Sequence, residues 1–384
     1  MKILIVSTSS GSRGGGELAL LYLGRALKLR GHEVLLWCST HGRMDELAAG
    51  FASFGEVVRA EYTNTYDRRA RSLASWLDRG TARRVAAQWR ALAPDVIHLN
   101  KQNLEDGLDL VQAATLCDRP GLCMIHITQS ARYLRAVFAG PRDYAARDAL
   151  RRFPGLLVTT PESRVRDLTE FMGGAERVRM VPNGVEIHPL DELARKRPGK
   201  RAELGVGDGE LLFVAVGRMV PQKRPLTFLA LAERIHRALP AARFLWVGDG
   251  ALSAEWDAWI DAKQLGQTIR RLPWQTDVPA FLAAADVFMH VAEFEGLAFA
   301  ILEALAAGLP CAITANLMSE MSFLNPDNSI AIDDGDAWLA PLRDRERLTA
   351  LGDSARQLAE EQFSFAKMAE NYETLYREAI ARHR

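Results

Sequence analysis

Short apolar runs alternate with stretches of helical periodicity from the first residues onward. Residues 3–6 are continuously apolar and turn polar at Ser7, which reads as a buried strand followed by a Ser/Gly/Arg loop reaching Gly16. Residues 17–30 then place Leu18, Leu21 and Leu27 at helical spacing, and Gly31 is suited to end that helix before the next strand, residues 33–37. The same β-α-β plan recurs far downstream: a strand at 211–216, a loop at 217–225, a helix at 226–239 and a strand at 243–247. Two such starts predict an α/β protein of two doubly wound halves facing a cleft.

Further strands in the first half are predicted at 96–99, 122–125, 156–158 and 178–181. The Pro182-Asn183-Gly184 turn and the Lys/Arg-rich residues 190–203 read as the inter-domain connection. In the second half, a Val/Phe/Met-rich strand at 287–291 gives way to a helix in which Glu303 is the only charged side chain between Leu297 and Ala307. A carboxylate among small apolar neighbours is expected to have a partner, because an unpaired buried charge costs several kcal/mol, roughly. Glu295 stands just before that helix. There a strand end, a turn and a helix start can hold an anionic or hydroxyl-rich ligand. A capping glutamate followed by a helix with one buried ion pair is the alternative for this segment alone.

Length narrows the organisation, since 384 residues suit about two domains. Lys plus Arg number 48 and so do Asp plus Glu, so no global field favours nucleic acid. Cys38, Cys117, Cys123 and Cys311 are scattered among apolar neighbours without metal-ligand spacing, and read as buried reduced thiols. The apolar start is too short for a signal-peptide core, and no run approaches the roughly 18–20 apolar residues of a membrane span. A cytoplasmic protein is therefore expected, with attachment to the inner face of a membrane left open.

Glu295 and Glu303, with seven residues between them, Gly296 after the first and Ala304-Leu305-Ala306-Ala307-Gly308-Leu309-Pro310 after the second, resemble a known signature. It is the paired-glutamate motif of retaining glycosyltransferases of the two-Rossmann-domain (GT-B) type, family four or group 1. The resemblance extends over nearly the whole chain. It implies an N-terminal acceptor-side domain at 1–185, a nucleotide-sugar-binding domain at 186–364, and a last helix, 365–384, that crosses back onto the first.

Arg218 and Lys223 lie on the loop directly after the strand 211–216, where α/β folds bind ligands, and two cations there suit a diphosphate. A solvated basic turn is the alternative. The resemblance implies that they hold the donor diphosphate, although Arg224 replaces the glycine usual after that lysine. Gly14, Gly15 and Gly16 precede the first helix in a G-x-x-G-G-G order, and no acid follows the second strand, which argues against NAD. The resemblance places Gly15 and Gly16 at the donor pocket and Glu17 on the acceptor side of it. His126 ends an apolar strand. A structural histidine is one reading, and the resemblance implies a catalytic one near the reacting sugar carbon, while His98 reads as structural support. Asp334-Gly335-Asp336 has a D-x-D spacing but precedes a helix, so Asp336 is expected to cap it and no metal is expected.

In the roles the resemblance implies, Glu303 binds the ribose and Glu295 the donor sugar's hydroxyls. The backbone at Trp274 and Gln275 contacts the base, and Gly296, Leu297 and Ala298 line the donor pocket. Ala298 and Ala292 depart from the residues common there, as does the lack of a Gly-Gly pair in 314–321, so donor identity does not carry over. The expected activity is transfer of a sugar from a nucleotide-diphosphate sugar to a hydroxyl acceptor, in glycan, glycolipid or glycoside biosynthesis, with no separate cofactor. A nucleotide-sugar epimerase and a non-catalytic sugar-nucleotide binding subunit remain alternatives. Residues 68–90 carry seven arginines against Asp78, interleaved with Leu73, Trp76, Leu77, Val85 and Trp89. This mixture fits peripheral contact with an anionic membrane, or a helical hairpin split at Gly80 with its Trp and Leu in the core.

Overall fold

A computed structural model describes residues 1–383. The first part of the chain runs β1 (Lys2–Ser7), α1 (Gly15–Leu29), β2 (Glu33–Ser39), α2 (Asp45–Ala52), β3 (Glu56–Ala60), α3 (Arg71–Leu77), α4 (Arg79–Leu92) and β4 (Val96–Asn103). It continues through α5 (Leu108–Cys117), β5 (Gly121–Ile127), α6 (Ala139–Arg152), β6 (Leu156–Thr159), α7 (Glu162–Met172) and β7 (Val178–Met180). The second part runs α8 (Leu190–Leu204), β8 (Leu211–Val216), α9 (Pro225–Ala238), β9 (Ala242–Val247), α10 (Ser253–Lys263), β10 (Ile269–Leu272), α11 (Val278–Ala284) and β11 (Val287–His290). Then follow α12 (Phe299–Ala306), β12 (Cys311–Thr314), α13 (Ala315–Ser319), β13 (Ser329–Ile332), α14 (Arg345–Gln362) and α15 (Phe365–His383). Contacts divide the chain into two units: Met1–Gly184 together with α15, and Val185–Ser364.

The first unit is built on a parallel seven-stranded sheet of order β3-β2-β1-β4-β5-β6-β7. Because side chains alternate across a strand, Leu4 and Val6 enter one core while Ile3 and Ile5 enter the other. Burial on both faces is why these strands read as continuous apolar runs. Helices α4, α5, α6 and α7 cover the first face, and α1, α2 and α15 the second. Helix α1 starts at Gly15, ahead of the 17–30 expected from periodicity. Gly31, with φ +84, ends it in the left-handed conformation that favours glycine.

Helix α15 is held on α1 by Glu373, which accepts from Arg30 Nε at 2.6 Å and lies 2.8 Å from His32 Nε2. On its other side His98 Nδ1 lies 2.8 Å from the Tyr376 hydroxyl, and burial pushes the His98 pKa down to about 3. His98 is thus a neutral, interior hydrogen-bonding residue.

The second unit has a parallel six-stranded sheet of order β10-β9-β8-β11-β12-β13. Phe244, Trp246 and Trp256 meet Phe228 of α9 in its core, and Phe213 stacks on Phe244 at 5.0 Å. Residues 190–203 are not a connection but helix α8, despite an internal Pro198. What folds them is long-range: Arg197 and Arg201 converge on Asp286 at 2.6 and 3.0 Å and on the carbonyls of Ala283, Ala284 and Ala285 at the end of α11.

The Arg-rich stretch forms two successive helices, α3 packed on α5 and α6 and α4 packed on α5, and its break falls at Asp78, whose carboxylate accepts from Thr81 N at 2.9 Å, leaving Gly80 inside α4. Val85 and Trp89 are fully buried, Trp76 donates to Asp148 at 3.0 Å, and Arg68 is held by Asp78 and Asp109. Of the apolar side chains at 68–90 the core takes Val85 and Trp89 whole and Leu73 and Trp76 in part, leaving Leu77 and the arginines other than Arg68 exposed. Among the described residues no helix is long and apolar enough to cross a membrane. All four cysteines are buried free thiols, and burial pushes Cys38 up to about 11 and Cys123 to about 12.

Candidate active site

In each sheet the strand order reverses direction once, between β1 and β4 and between β8 and β11. Loops leaving the carboxyl ends of such a pair diverge, which makes these the places where doubly wound sheets take ligands.

In the second unit the loop after β8 is laced to its neighbours through the backbone. Met219 N donates to Asp249 O at 2.8 Å and Trp246 Nε1 to Gly217 O at 2.8 Å. The close approach demands Gly248 and Gly250. Both have positive φ, and a Cβ on them would stand 2.2 Å from Gly217 O and 2.6 Å from Met219 O. Asp249 also accepts from Trp274 N at 3.2 Å, which fixes the Trp274-Gln275 segment beside the same loop. Across the switch point, Glu293 N donates to Gln222 O at 2.8 Å and Gln222 Nε2 to Phe294 O at 3.0 Å.

These ties bring Lys223 and Glu295 into a direct ion pair, and His290 Nε2 lies 3.2 Å from the same carboxylate oxygen. Glu295 is 6% exposed. Burial alone pushes its carboxyl up, but the Lys223 ammonium and the His290 hydrogen bond outweigh it and hold the group at about 2. Burial lowers the His290 pKa in turn, so that ring is a neutral donor. Arg218 is exposed, with no ion-pair partner among the described residues. Lys223 is thus anchored on a buried, ionised carboxylate, and Arg218 stands exposed five residues earlier on the same loop.

Gly296, Leu297 and Ala298 are buried and lead into α12, whose N-cap Ala298 offers no side-chain oxygen. Glu303 is half-buried between fully buried Leu302 and Ala304. Arg224 adopts φ +51 and ψ +51, so it holds the left-handed geometry that a glycine would supply, and the loop keeps its shape at a steric cost. Asp336 occupies the N-cap position of the turn 337–339 but caps nothing. Arg234 claims its Oδ1 through Nε at 2.9 Å and through a second guanidinium nitrogen, because a charged partner outcompetes a backbone N–H. Among the described residues no cluster of three His, Cys, Asp or Glu side chains could hold a metal ion.

In the first unit the switch point gathers Gly16, Glu17, Asn100, Gln102 and His126. A Cβ on Gly16 would stand 2.3 Å from Gln102 Nε2, which donates to buried Glu17 at 2.9 Å. This explains why residue 16, in the first turn of α1, is a glycine. Asn100 Nδ2 donates to Gly16 O at 3.0 Å, so its Oδ1 accepts, and His126 Nε2 at 2.9 Å must be the donor. Burial, partly offset by Asp106, lowers the His126 pKa to about 4, so at neutral pH the ring is uncharged with Nδ1 as an acceptor. Asp106 itself takes the Thr8 hydroxyl, the Gln102 and Asn103 N–H groups and the buried Lys101 ammonium.

His290, Asp249 with its two glycines, Asn100, Gln102 and Asp106 escaped the reading of the sequence. Their signal was a polar residue closing an apolar strand, as in Val287-Phe288-Met289-His290, or a Gly-Asp-Gly turn after one.

Two family models match the chain: Glycosyltransferase Family 4 over residues 13–188 and Glycosyl transferases group 1 over residues 196–341. HepE of Anabaena, solved in complex with UDP and glucose, shares the fold with a TM-score of 0.76 at 20% identity, over 98% of this chain and 99% of that one. Two doubly wound sheets in this order define the GT-B class. The chain belongs to the family four, group 1 glycosyltransferases.

Among its relatives, the UDP-Gal:α-D-GlcNAc-diphosphoundecaprenol α-1,3-galactosyltransferase of Escherichia coli is 33% identical over 172 residues, 44% of this chain and 42% of that protein. A glycogen synthase of Mycobacterium tuberculosis is 26% identical over 324 residues, 79% of this chain and 75% of that protein. The chain spans less than half the length of the galactosyltransferase it matches.

Proposed function

We propose that the protein transfers a sugar from a nucleotide-diphosphate sugar to a hydroxyl acceptor with retention of configuration, without a metal or separate cofactor. The observation that carries this reading is the buried Lys223–Glu295–His290 cluster beside exposed Arg218 at the β8/β11 switch point. A diphosphate entering there meets both cations, and charge developing on it as the sugar departs is stabilised by groups already in place. Glu295, kept ionised by its partners, accepts hydrogen bonds from sugar hydroxyls. Glu303 takes the ribose and the Trp274-Gln275 backbone the base, and the family resemblance gives neutral His126 its role at the reacting sugar carbon. The Escherichia coli relative, named for a diphosphoundecaprenol acceptor, supports a lipid-linked acceptor and a place at the inner face of a membrane.

Incubation of the purified protein with UDP-, GDP- and ADP-sugars tests the reading. Slow donor hydrolysis is expected, and Arg218→Ala and Lys223→Ala should each lower it by about tenfold or more, the loss of one such electrostatic contact reaching 10²–10³. Full activity in both folded variants would remove the assignment. Formation of a sugar isomer would replace transfer by epimerisation, and binding without turnover across an acceptor panel would leave only a binding subunit. Product anomeric configuration, read by NMR, decides retention.

A further inference from the structure

The segment after β5 is a preformed loop that turns large apolar side chains outward. Val137 is 74% exposed, Phe138 73%, Tyr133 64% and Leu134 44%. The loop is not loosely held. Leu134 N donates to Ser130 O at 3.0 Å, Ala136 N to Ala131 O at 2.9 Å, and Asp143 accepts from Ala131 N and Arg132 N at 2.7 and 3.2 Å. Arg135 and Phe138 both adopt φ above +50, a conformation that residues with a Cβ resist, so the backbone accepts strain while the side chains stay in water.

The apolar surface continues onto α6 and α3. Tyr144 is 63% exposed and meets Trp76 edge-on at 6.0 Å, and the neighbouring Leu77 is 66% exposed. Arg142 ties the loop to α3, since it donates to Val137 O at 3.1 Å and to Glu105, which also accepts from Ser72. Large apolar side chains turned to water on one loop, and on the helices tied to it, mark an interaction site.

Charge selects the partner. Arg132 and Arg135 are exposed, with no ion pair among the described residues, and Arg69 and Arg79 flank α3 in the same state. The acids of this face are occupied: Glu105 by Arg142, Asp148 by Arg152 and Trp76, Asp78 by Arg68, and Asp143 by backbone N–H groups. The face is therefore apolar at its centre and basic around it, the combination that suits acyl chains beneath anionic headgroups.

We propose that this face, centred on residues 132–138, docks the first unit on an anionic lipid bilayer. It lies apart from the Lys223–Glu295 cluster in sequence and chemistry, and does not depend on the transfer reaction. It also places the membrane contact elsewhere than residues 68–90 alone would, because Val85 and Trp89 there are core residues.

Flotation of the full chain with vesicles of phosphatidylcholine alone, and of phosphatidylcholine with phosphatidylglycerol at about one third, tests it at low and high salt. The wild type should float with the anionic vesicles only, and less so at high salt. Val137→Ser with Phe138→Ser should weaken partition at least about tenfold, and Arg132→Gln with Arg135→Gln about five- to tenfold or more. These positions are exposed, so melting temperature and donor hydrolysis should stay near wild type, which separates a docking defect from a folding or catalytic one. No flotation of the wild type with anionic vesicles would overturn the proposal. So would equal flotation of wild type and both variants, or equal recovery with the two lipid compositions.

Discussion

Replacing Glu295 by Gln removes one charge from a buried cluster while keeping its shape, and the consequence can be worked from the environment of the carboxyl. An ordinary glutamate value of 4.5 held at about 2 corresponds to about 3 kcal/mol of preference for the ionised form in the folded protein at neutral pH. Gln still accepts from His290, but Lys223 is left facing a neutral group. A loss of roughly 3 kcal/mol in the apo protein is expected, at the lower end of what breaking a buried pair from one side costs. The sign follows from a lowered folded-state value: the contribution is complete above about pH 4.5 and fades as pH falls towards 2, so the variant and wild type should converge in acid.

Chemical denaturation at pH 7 and pH 3 reads this half. Titration calorimetry with UDP and with UDP-glucose as probes reads the other. With Lys223 released, UDP should bind Glu295→Gln as well as or better than wild type, while the extra affinity given by the sugar is lost. Equal stability within about 0.5 kcal/mol, together with an intact sugar increment, would refute both the electrostatic account and the role of Glu295.

Two further outcomes are expected. Arg224→Gly relieves a left-handed arginine at the cost of a more flexible unfolded chain, so denaturation should register a net gain of roughly 0.5–1 kcal/mol with donor hydrolysis unchanged. Glu373→Gln should cost on the order of 2 kcal/mol: its carboxyl is held at about 2, first by the Arg30 hydrogen bond, then against burial and with help from His32, and the half-exposed Arg30 tempers the gain. That loss should be full above about pH 4.5 and shrink as pH falls towards 2, in the melting temperature of the first unit.

The sheets were readable because parallel strands buried on both faces leave unbroken apolar runs such as Ile3 to Val6 and Leu211 to Val216, and helices such as α1 and α9 keep one apolar stripe. Helix α8 was misread as a connection because its fold rests on Arg197 and Arg201 gripping Asp286, a contact some 85 residues away that leaves no period in the sequence. Among the site residues, Lys223 and Glu295 were each legible from motif and position, but their pairing was not, since each had been assigned to a different part of the donor. Nor could spacing reveal Gly248 and Gly250, whose need arises only where the loop after β9 presses on the carbonyls of Gly217 and Met219.

The route of the chain through its two units also sets an order of assembly. Val185–Ser364 is one continuous segment whose two ends pair with each other, Val185 N donating to Phe363 O at 2.7 Å, so it can close its sheet as soon as it has emerged from the ribosome. The unit synthesised first has to wait. Its second core stays open over Leu122 and Met124 of β5 until Phe365–His383 arrive to bury Tyr372 and Tyr376 against it. For the whole time that the second unit is being made, the first is a sheet with part of one apolar face uncovered, and it is this nascent intermediate, more than the finished molecule, that chaperones have reason to attend.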